Sequence, residues 1–292
     1  IVANIGGVAD ARKAHAAGAE GVGLLRTEFL FLERTSAPTE TEQFEVYRDI
    51  AVALAGNPVI VRTLDIGGDK PVPYITMLPE ENPFLGERGI RLCLARPELL
   101  RQQVRAILRA APYGKLRIMF PMVADLSEWR AARAIVEELR AELYAPQIEL
   151  GIMIEVPSAA LLANFFAAEV DFFSIGTNDL TQYTLAMDRG HPNLAGKSDG
   201  LHPAVLKLIQ CTVEAAHAAG KWVGICGELG ADPQAVPILI GLGVDELSIS
   251  IPAIPMVKAQ VRDLTLEEAR RRAQDALACA TAPEVRRKAA NA

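Results

Sequence analysis

The sequence predicts an α/β protein of the (β/α)8 barrel class, and three observations carry that prediction. Apolar runs of strand length alternate with amphipathic stretches of helix length. Eight such runs can be counted. They are nearly continuously apolar, as strands of a parallel sheet covered by helices must be. At 292 residues the chain is long for one ordinary domain and short for two, a length at which α/β barrels commonly form one unit. The whole span, residues 1–292, is therefore read as one barrel domain.

In order, the candidate strands are "IVANIG", "GVGLLRTEF", "PVIVRTLDIGG", "KLRIMFPMV", "IELGIMIEV", "FFSIGTNDL", "WVGICGEL" and "DELSISI". Between the fourth and fifth, Trp129, Ala132, Val136, Leu139 and Leu143 recur at steps of three and four and form one helix face, with Asp125 or Ser127 available as N-cap. A later helix starts with Pro203 in its first turn and stops before Gly220. "TLEE" at 265–268 has capping-box spacing for a last helix, and "EEARRRAQD" reads as its solvated face. One connection breaks the rhythm: residues 69–89, "DKPVPYITMLPEENPFLGERG", hold four prolines and no period. A long excursion after a strand is more often functional than accidental.

Composition narrows the function. Net charge is −6, and the 30 Lys and Arg residues gather into no basic stripe, which argues against a nucleic-acid surface. Cys93, Cys211, Cys226 and Cys279 are scattered without a CxxC pair, so a reducing, cytoplasmic setting is expected. No stretch reaches the roughly 18 apolar residues of a membrane span. The first residues, "IVANIGGVADARK", form no signal peptide and lack a Met, which suggests a piece of a longer protein.

In strand after strand the apolar run ends on a charge: Arg26, Arg62, Glu155, Asp179 and Glu228. A barrel gathers its strand ends at one rim, and a buried charge needs a partner. Taken singly, each could be half of a structural ion pair; five at the same end of successive strands point to a site. Arginines offer planar forks for phosphate or carboxylate oxygens. Two carboxylates with no His or Cys beside them suit a hard cation such as Mg²⁺, commonly shared with a substrate phosphate. Cys226, between glycines in "GICGEL", is either an inert buried thiol or a proton donor to carbon.

"GVGLLRTEFLF", "RTLDIGGDK", "ENPFLGERGIR", "IMFPMV", "GIMIEVPSAA", "FFSIGTNDLTQYTLAMDRG" and "GICGELGAD" resemble, in order, the C-terminal domain of enzyme I of the bacterial phosphoenolpyruvate:sugar phosphotransferase system. The resemblance implies a (β/α)8 barrel that binds phosphoenolpyruvate and Mg²⁺, dimerises, and passes the phosphoryl group to a histidine on a separate N-terminal domain. That domain in turn serves the histidine-containing phosphocarrier protein. None of His15, His191, His202 or His217 lies in the family's phosphohistidine motif, so that domain is expected outside this chain.

Carried over by motif, Arg26, Arg62 and Arg189 are matched to the phosphate and carboxylate of the substrate, with Asn178 and Asp179 beside them and Arg88 supporting from the long loop. Glu155 and Asp179 match the metal ligands, and Cys226 the residue that protonates the enolate. Lys70 and Glu228 are supporting residues, and Asp188 is expected to orient Arg189. Phosphoenolpyruvate synthases and pyruvate phosphate dikinases share "GTNDLTQ" and "GICGE"-like motifs, but "YTLAMDRG" directly after "DLTQ" favours enzyme I. Within that group, "RGHPNLAGKSDGLHPAVL" resembles the fructose-specific multiphosphoryl transfer proteins. A non-catalytic phosphoenolpyruvate-sensing dimerisation module is the alternative from another class.

Overall fold

The computed structural model of the chain describes residues 1–290 apart from Glu33, residues 68–71, Pro73 and Thr76. Lys70 and part of the proline-rich connection therefore lie outside the described residues. Strands β1 (Val2–Ile5), β2 (Val22–Arg26), β3 (Val59–Arg62), β4 (Leu116–Phe120), β5 (Glu149–Ile154), β6 (Phe172–Ile175), β7 (Trp222–Ile225) and β8 (Glu246–Ile249) form a closed barrel in sequence order. All eight neighbouring pairs are parallel, including β8 back to β1, so the predicted fold class is the observed one.

The helices are α1 (Val8–Ala16), α2 (Glu40–Ala53), α3 (Ile90–Ala95), α4 (Pro97–Ala110), α5 (Leu126–Glu142), α6 (Pro157–Leu161), α7 (Ala163–Ala167), α8 (Thr177–Leu185), α9 (Pro203–Ala218), α10 (Ala235–Gly241), α11 (Ile254–Asp263), α12 (Leu266–Leu277) and α13 (Ala282–Ala290). None among the described residues is long and apolar enough to cross a membrane.

Strand alternation sorts the side chains into two cores. Outward-facing Val61, Ile118, Phe120, Ile152, Phe173 and Ile225 join the helices in one large cluster. Inward-facing Leu24, Ile60, Met119, Met153, Phe172 and Cys226 fill the barrel. The fill is tight: a Cβ on Gly151 would lie 2.6 Å from the Phe172 ring. On α5, Trp129, Ala132, Val136 and Leu139 are buried as expected, and the large apolar ones contribute about 1.5–3 kcal/mol each. Asp125, not Ser127, is the cap and forms a reciprocal box with Glu128. At α12, Thr265 caps Glu268 N–H, but the Glu268 carboxylate turns to Arg272 instead of completing the box.

Several strands end earlier than the apolar runs suggest. β6 stops at Ile175, and Thr177 already opens α8, so Asn178 and Asp179 stand in the first helical turn. Gly176 breaks the strand there, and an acidic residue in a first turn is favoured by the unpaired N–H groups of the helix. Likewise β2 ends at Arg26 and passes into a 3₁₀ turn, Thr27–Leu30.

Candidate active site at the C-terminal rim

The predicted residues gather at the C-terminal ends of the strands, but in two tiers. Arg26, Asn178, Arg189 and Glu228 line an open cavity of about 1160 Å³, together with Asn4, Thr177 and the loop at 195–200. Behind it, Arg62, Arg88, Glu155 and Asp179 are buried in a continuous charged network.

The lower tier is built around two residues that sequence reasoning missed, Glu28 and Asp65. Arg62 reaches Glu28 at 2.6 Å and Asp65 at 2.9 Å. Arg88 grips Asp65 with two nitrogens, at 3.0 and 3.1 Å, and Asp179 with two, at 3.0 and 3.3 Å. Burial opposes these charges, yet Glu28 and Asp65 keep the Arg62 guanidinium firmly protonated, as Asp65 and Asp179 do for Arg88. A signal existed: "RTE" and "RTLD" each place a carboxylate two or three residues after an arginine, and a buried guanidinium requires one. Gln103 on α4 braces the strand ends behind them, accepting from Leu64 N–H at 2.8 Å and donating to Thr27 Oγ1 at 3.0 Å.

Glu155 is fully buried. Its Oε1 accepts from the N–H of Met122 at 2.6 Å, a residue held at φ 59°, while Oε2 has no hydrogen-bond partner among the described residues. A left-handed methionine is uncommon, and its conformation here aims an N–H at the carboxylate. Burial first, then the negative charges of Asp179 and Asp65, push the Glu155 carboxyl up to about 8. The site is thus short of positive charge at Glu155, a deficit that a hard divalent cation would fill. Among the described residues no group of three or more His, Cys, Asp or Glu side chains is arranged to hold a metal by itself, so protein oxygens would supply only part of a shell.

Cys226 directly follows β7, and its side chain faces into the barrel, 3.6 Å from Ile175 O. Burial pushes its thiol up to about 11, so it carries its proton at neutral pH. It does not line the cavity; the next residue, Gly227, does. Gly227 is required by close approach, since a Cβ there would lie 2.0 Å from Thr177 Oγ1 and 2.7 Å from Thr177 N. That contact lets Glu228 N–H donate to Asn178 Oδ1 at 2.9 Å, tying the β7 end to α8.

Arg189 follows α8 and extends an Nη to within 3.6 Å of Asp179. Asp188 does not orient the Arg189 side chain directly. Its Oδ1 accepts from Gly190 N–H at 2.7 Å and shapes the turn, while Gln182 Oε1 accepts from Arg189 N–H at 3.0 Å.

Fold and site together define a parallel (β/α)8 barrel whose C-terminal rim carries arginines over a buried carboxylate pair. The chain matches the PEP-utilising enzyme, PEP-binding domain family over residues 1–266 and belongs to it. It is 58% identical over 98% of its length to a multiphosphoryl transfer protein of Rhodobacter capsulatus, covering 35% of that protein. It is 51% identical, again over 98% of its length, to a phosphoenolpyruvate-protein phosphotransferase of Staphylococcus carnosus, covering 51% of it. The chain thus spans between a third and a half of these relatives. Among solved structures, Haloferax volcanii malate synthase in a magnesium/glyoxylate complex (TM-score 0.51, 14% identity, 76% of this chain and 60% of that one) shares the fold. So does an HpcH/HpaI aldolase from Desulfitobacterium hafniense (TM-score 0.50, 16% identity, 90% and 89%).

Proposed function

We propose that this barrel binds phosphoenolpyruvate with Mg²⁺ and delivers the phosphoryl group to a histidine on a separate N-terminal domain, releasing pyruvate, as the first step of phosphotransferase-system sugar uptake. The observation that carries this reading is the convergence of Arg26, Arg189 and Asn178 on one cavity, backed by the buried Glu155 and Asp179. The names and high identities of the relatives support the reaction type.

Arg26 and Arg189 bind the phosphate and carboxylate of the substrate, and Arg62 and Arg88 complete the anion site by exchanging part of their contact with Glu28, Asp65 and Asp179. Asn178 holds the substrate against the α8 N-terminus. Glu155 and Asp179 would hold Mg²⁺, which would supply Lewis-acid charge stabilisation. The guanidiniums carry the charge of the loose phosphoryl-transfer transition state as the bridging P–O bond breaks and an N–P bond forms to the incoming imidazole. Cys226 donates its S–H proton to the methylene carbon of the enolate, giving pyruvate, and the thiolate regains a proton from solvent.

The higher identity to multiphosphoryl transfer proteins, 58% and 55%, than to the Staphylococcus carnosus phosphotransferase, 51%, supports the former as the parent protein. Exposed Leu161 at the end of α6, Leu162 at the junction and Phe165 on α7 support a homodimer. The four free cysteines suit a cytoplasmic setting.

Calorimetry of phosphoenolpyruvate binding with and without Mg²⁺ tests the reading. Metal-dependent binding is expected, lost in Glu155→Gln; no binding under either condition would refute it. Once the phosphoacceptor domain is supplied, Cys226→Ala should bind substrate normally yet form pyruvate at least about a hundredfold more slowly. Wild-type turnover in that variant would remove Cys226 from the mechanism.

A further inference from the structure

Residues 282–290, outside the span that matches the family, form α13, and one of its side chains reaches the wall of the cavity. Val285 is fully buried where α13 packs on α12, and its neighbour Arg286 extends toward the rim. There the guanidinium holds Asp199 through two nitrogens, at 2.8 and 2.9 Å, and Asp232 at 2.5 Å. It also donates to Gln234 Oε1 at 3.0 Å, and Gln234 Nε2 donates back to the Arg286 carbonyl at 3.4 Å.

The two aspartates belong to different active-site loops. Asp199 lies in the segment between α8 and α9 that contains Arg189; it also accepts from Leu201 N–H at 2.9 Å. Asp232 closes the turn Glu228–Ala231 that follows Cys226 and Gly227, and accepts from Gln234 N–H at 2.8 Å. All three members are only about a quarter to a third exposed. A planar guanidinium is the side chain suited to bridging two carboxylates at fixed geometry.

We infer that Arg286 is a positioning residue: a clamp from the C-terminal helix that joins the loops after β6 and β7 and thereby sets Arg189 for the substrate. Arg286 acts through Asp199 and Asp232 and does not itself contact substrate. Its consequence for substrate rests on the function proposed above; the clamp itself does not.

Hydrogen exchange on the whole chain, read peptide by peptide, tests the clamp without ligand. Arg286→Gln and Asp199→Asn should each speed exchange across residues 188–201 by about tenfold. The double variant should add little to either, and the β-strands should stay as protected as in the wild type. Arg286→Lys, which keeps the charge but loses the fork, should fall between. Unchanged exchange at 188–201 in Arg286→Gln overturns the clamp, as does loss of protection spread evenly over the barrel. Calorimetry then reads the consequence: phosphoenolpyruvate should bind Arg286→Gln roughly three- to tenfold more weakly. Equal binding with loosened loops overturns the positioning role, whereas a wild type that binds no phosphoenolpyruvate sinks the proposed function and leaves the clamp to be judged by exchange.

Discussion

Arg101 pairs with Glu138 on the outside of the barrel at 2.6 Å, the same separation at which Arg62 pairs with Glu28 inside its C-terminal rim. The outer partners are 35% and 61% exposed, the inner ones 7% and 2%. The outer pair belongs to a lattice of similar contacts, Arg105 to Glu40 and Glu142 and Arg109 to Glu40, spread over α2, α4 and α5. Water and ions screen those charges, so each contact is worth about 0–1 kcal/mol. At the rim, desolvation makes every charge depend on its partner, and a matching hydrophobic group would often be more stable. Identical chemistry is thus decoration in one place and a standing cost in the other. A cost of that kind is expected where charges await a ligand.

The contrast breaks most sharply at Asp65, which serves both Arg62 and Arg88. Asp65→Ala should destabilise the protein by about 3–5 kcal/mol, because two buried guanidiniums lose a shared partner. A loss below about 1 kcal/mol in urea unfolding would place the rim in the same class as the surface.

Glu155 should respond in the opposite direction. Burial and the neighbouring carboxylates oppose its charge, so Glu155→Gln should stabilise the ligand-free protein by about 1–2 kcal/mol at pH 8 while removing metal-dependent substrate binding. A lower melting temperature would show that its hydrogen bond to Met122 outweighs the repulsion.

A smaller effect is expected at the other mouth of the barrel, where Glu246 opens β8. Burial pushes its carboxyl up to about 7 from an ordinary value of 4.5, with Arg117 acting against the shift. The folded state therefore holds a proton that the unfolded state has released. Stability from this group is complete below about pH 4.5, falls as pH rises toward about 7, and is constant above. Unfolding free energies of wild type and Glu246→Gln, compared across that range, should diverge with rising pH in favour of the variant; parallel curves would discount the shift.

The least effect belongs to Arg101→Ala, which should change stability by at most about 1 kcal/mol and leave substrate binding untouched.

The rim charges were legible singly and not as a network. Arg26, Arg62, Glu155 and Asp179 stood out because each ends an apolar run. Glu28 and Asp65 did not, although each follows an arginine in its motif, because sequence spacing does not say which side chains meet across a barrel. Arg286 left no trace at all: its partners lie 87 and 54 residues away, and "EVRRK" in a terminal helix reads as solvated charge.

By itself the sequence determined the barrel. Eight apolar runs separated by amphipathic helices admit few other closed arrangements, since local periodicity decides which face each residue shows to the core. The ends of β2, β3 and β6 marked where the chemistry would gather. Only the tertiary structure decided the partners: that Arg88 from the long connection faces Asp179 across the rim, that one Glu155 oxygen finds no hydrogen-bond partner among the described residues, and that the last helix reaches back to the cavity. Those contacts depend on closing the sheet, which brings together residues that no local pattern relates.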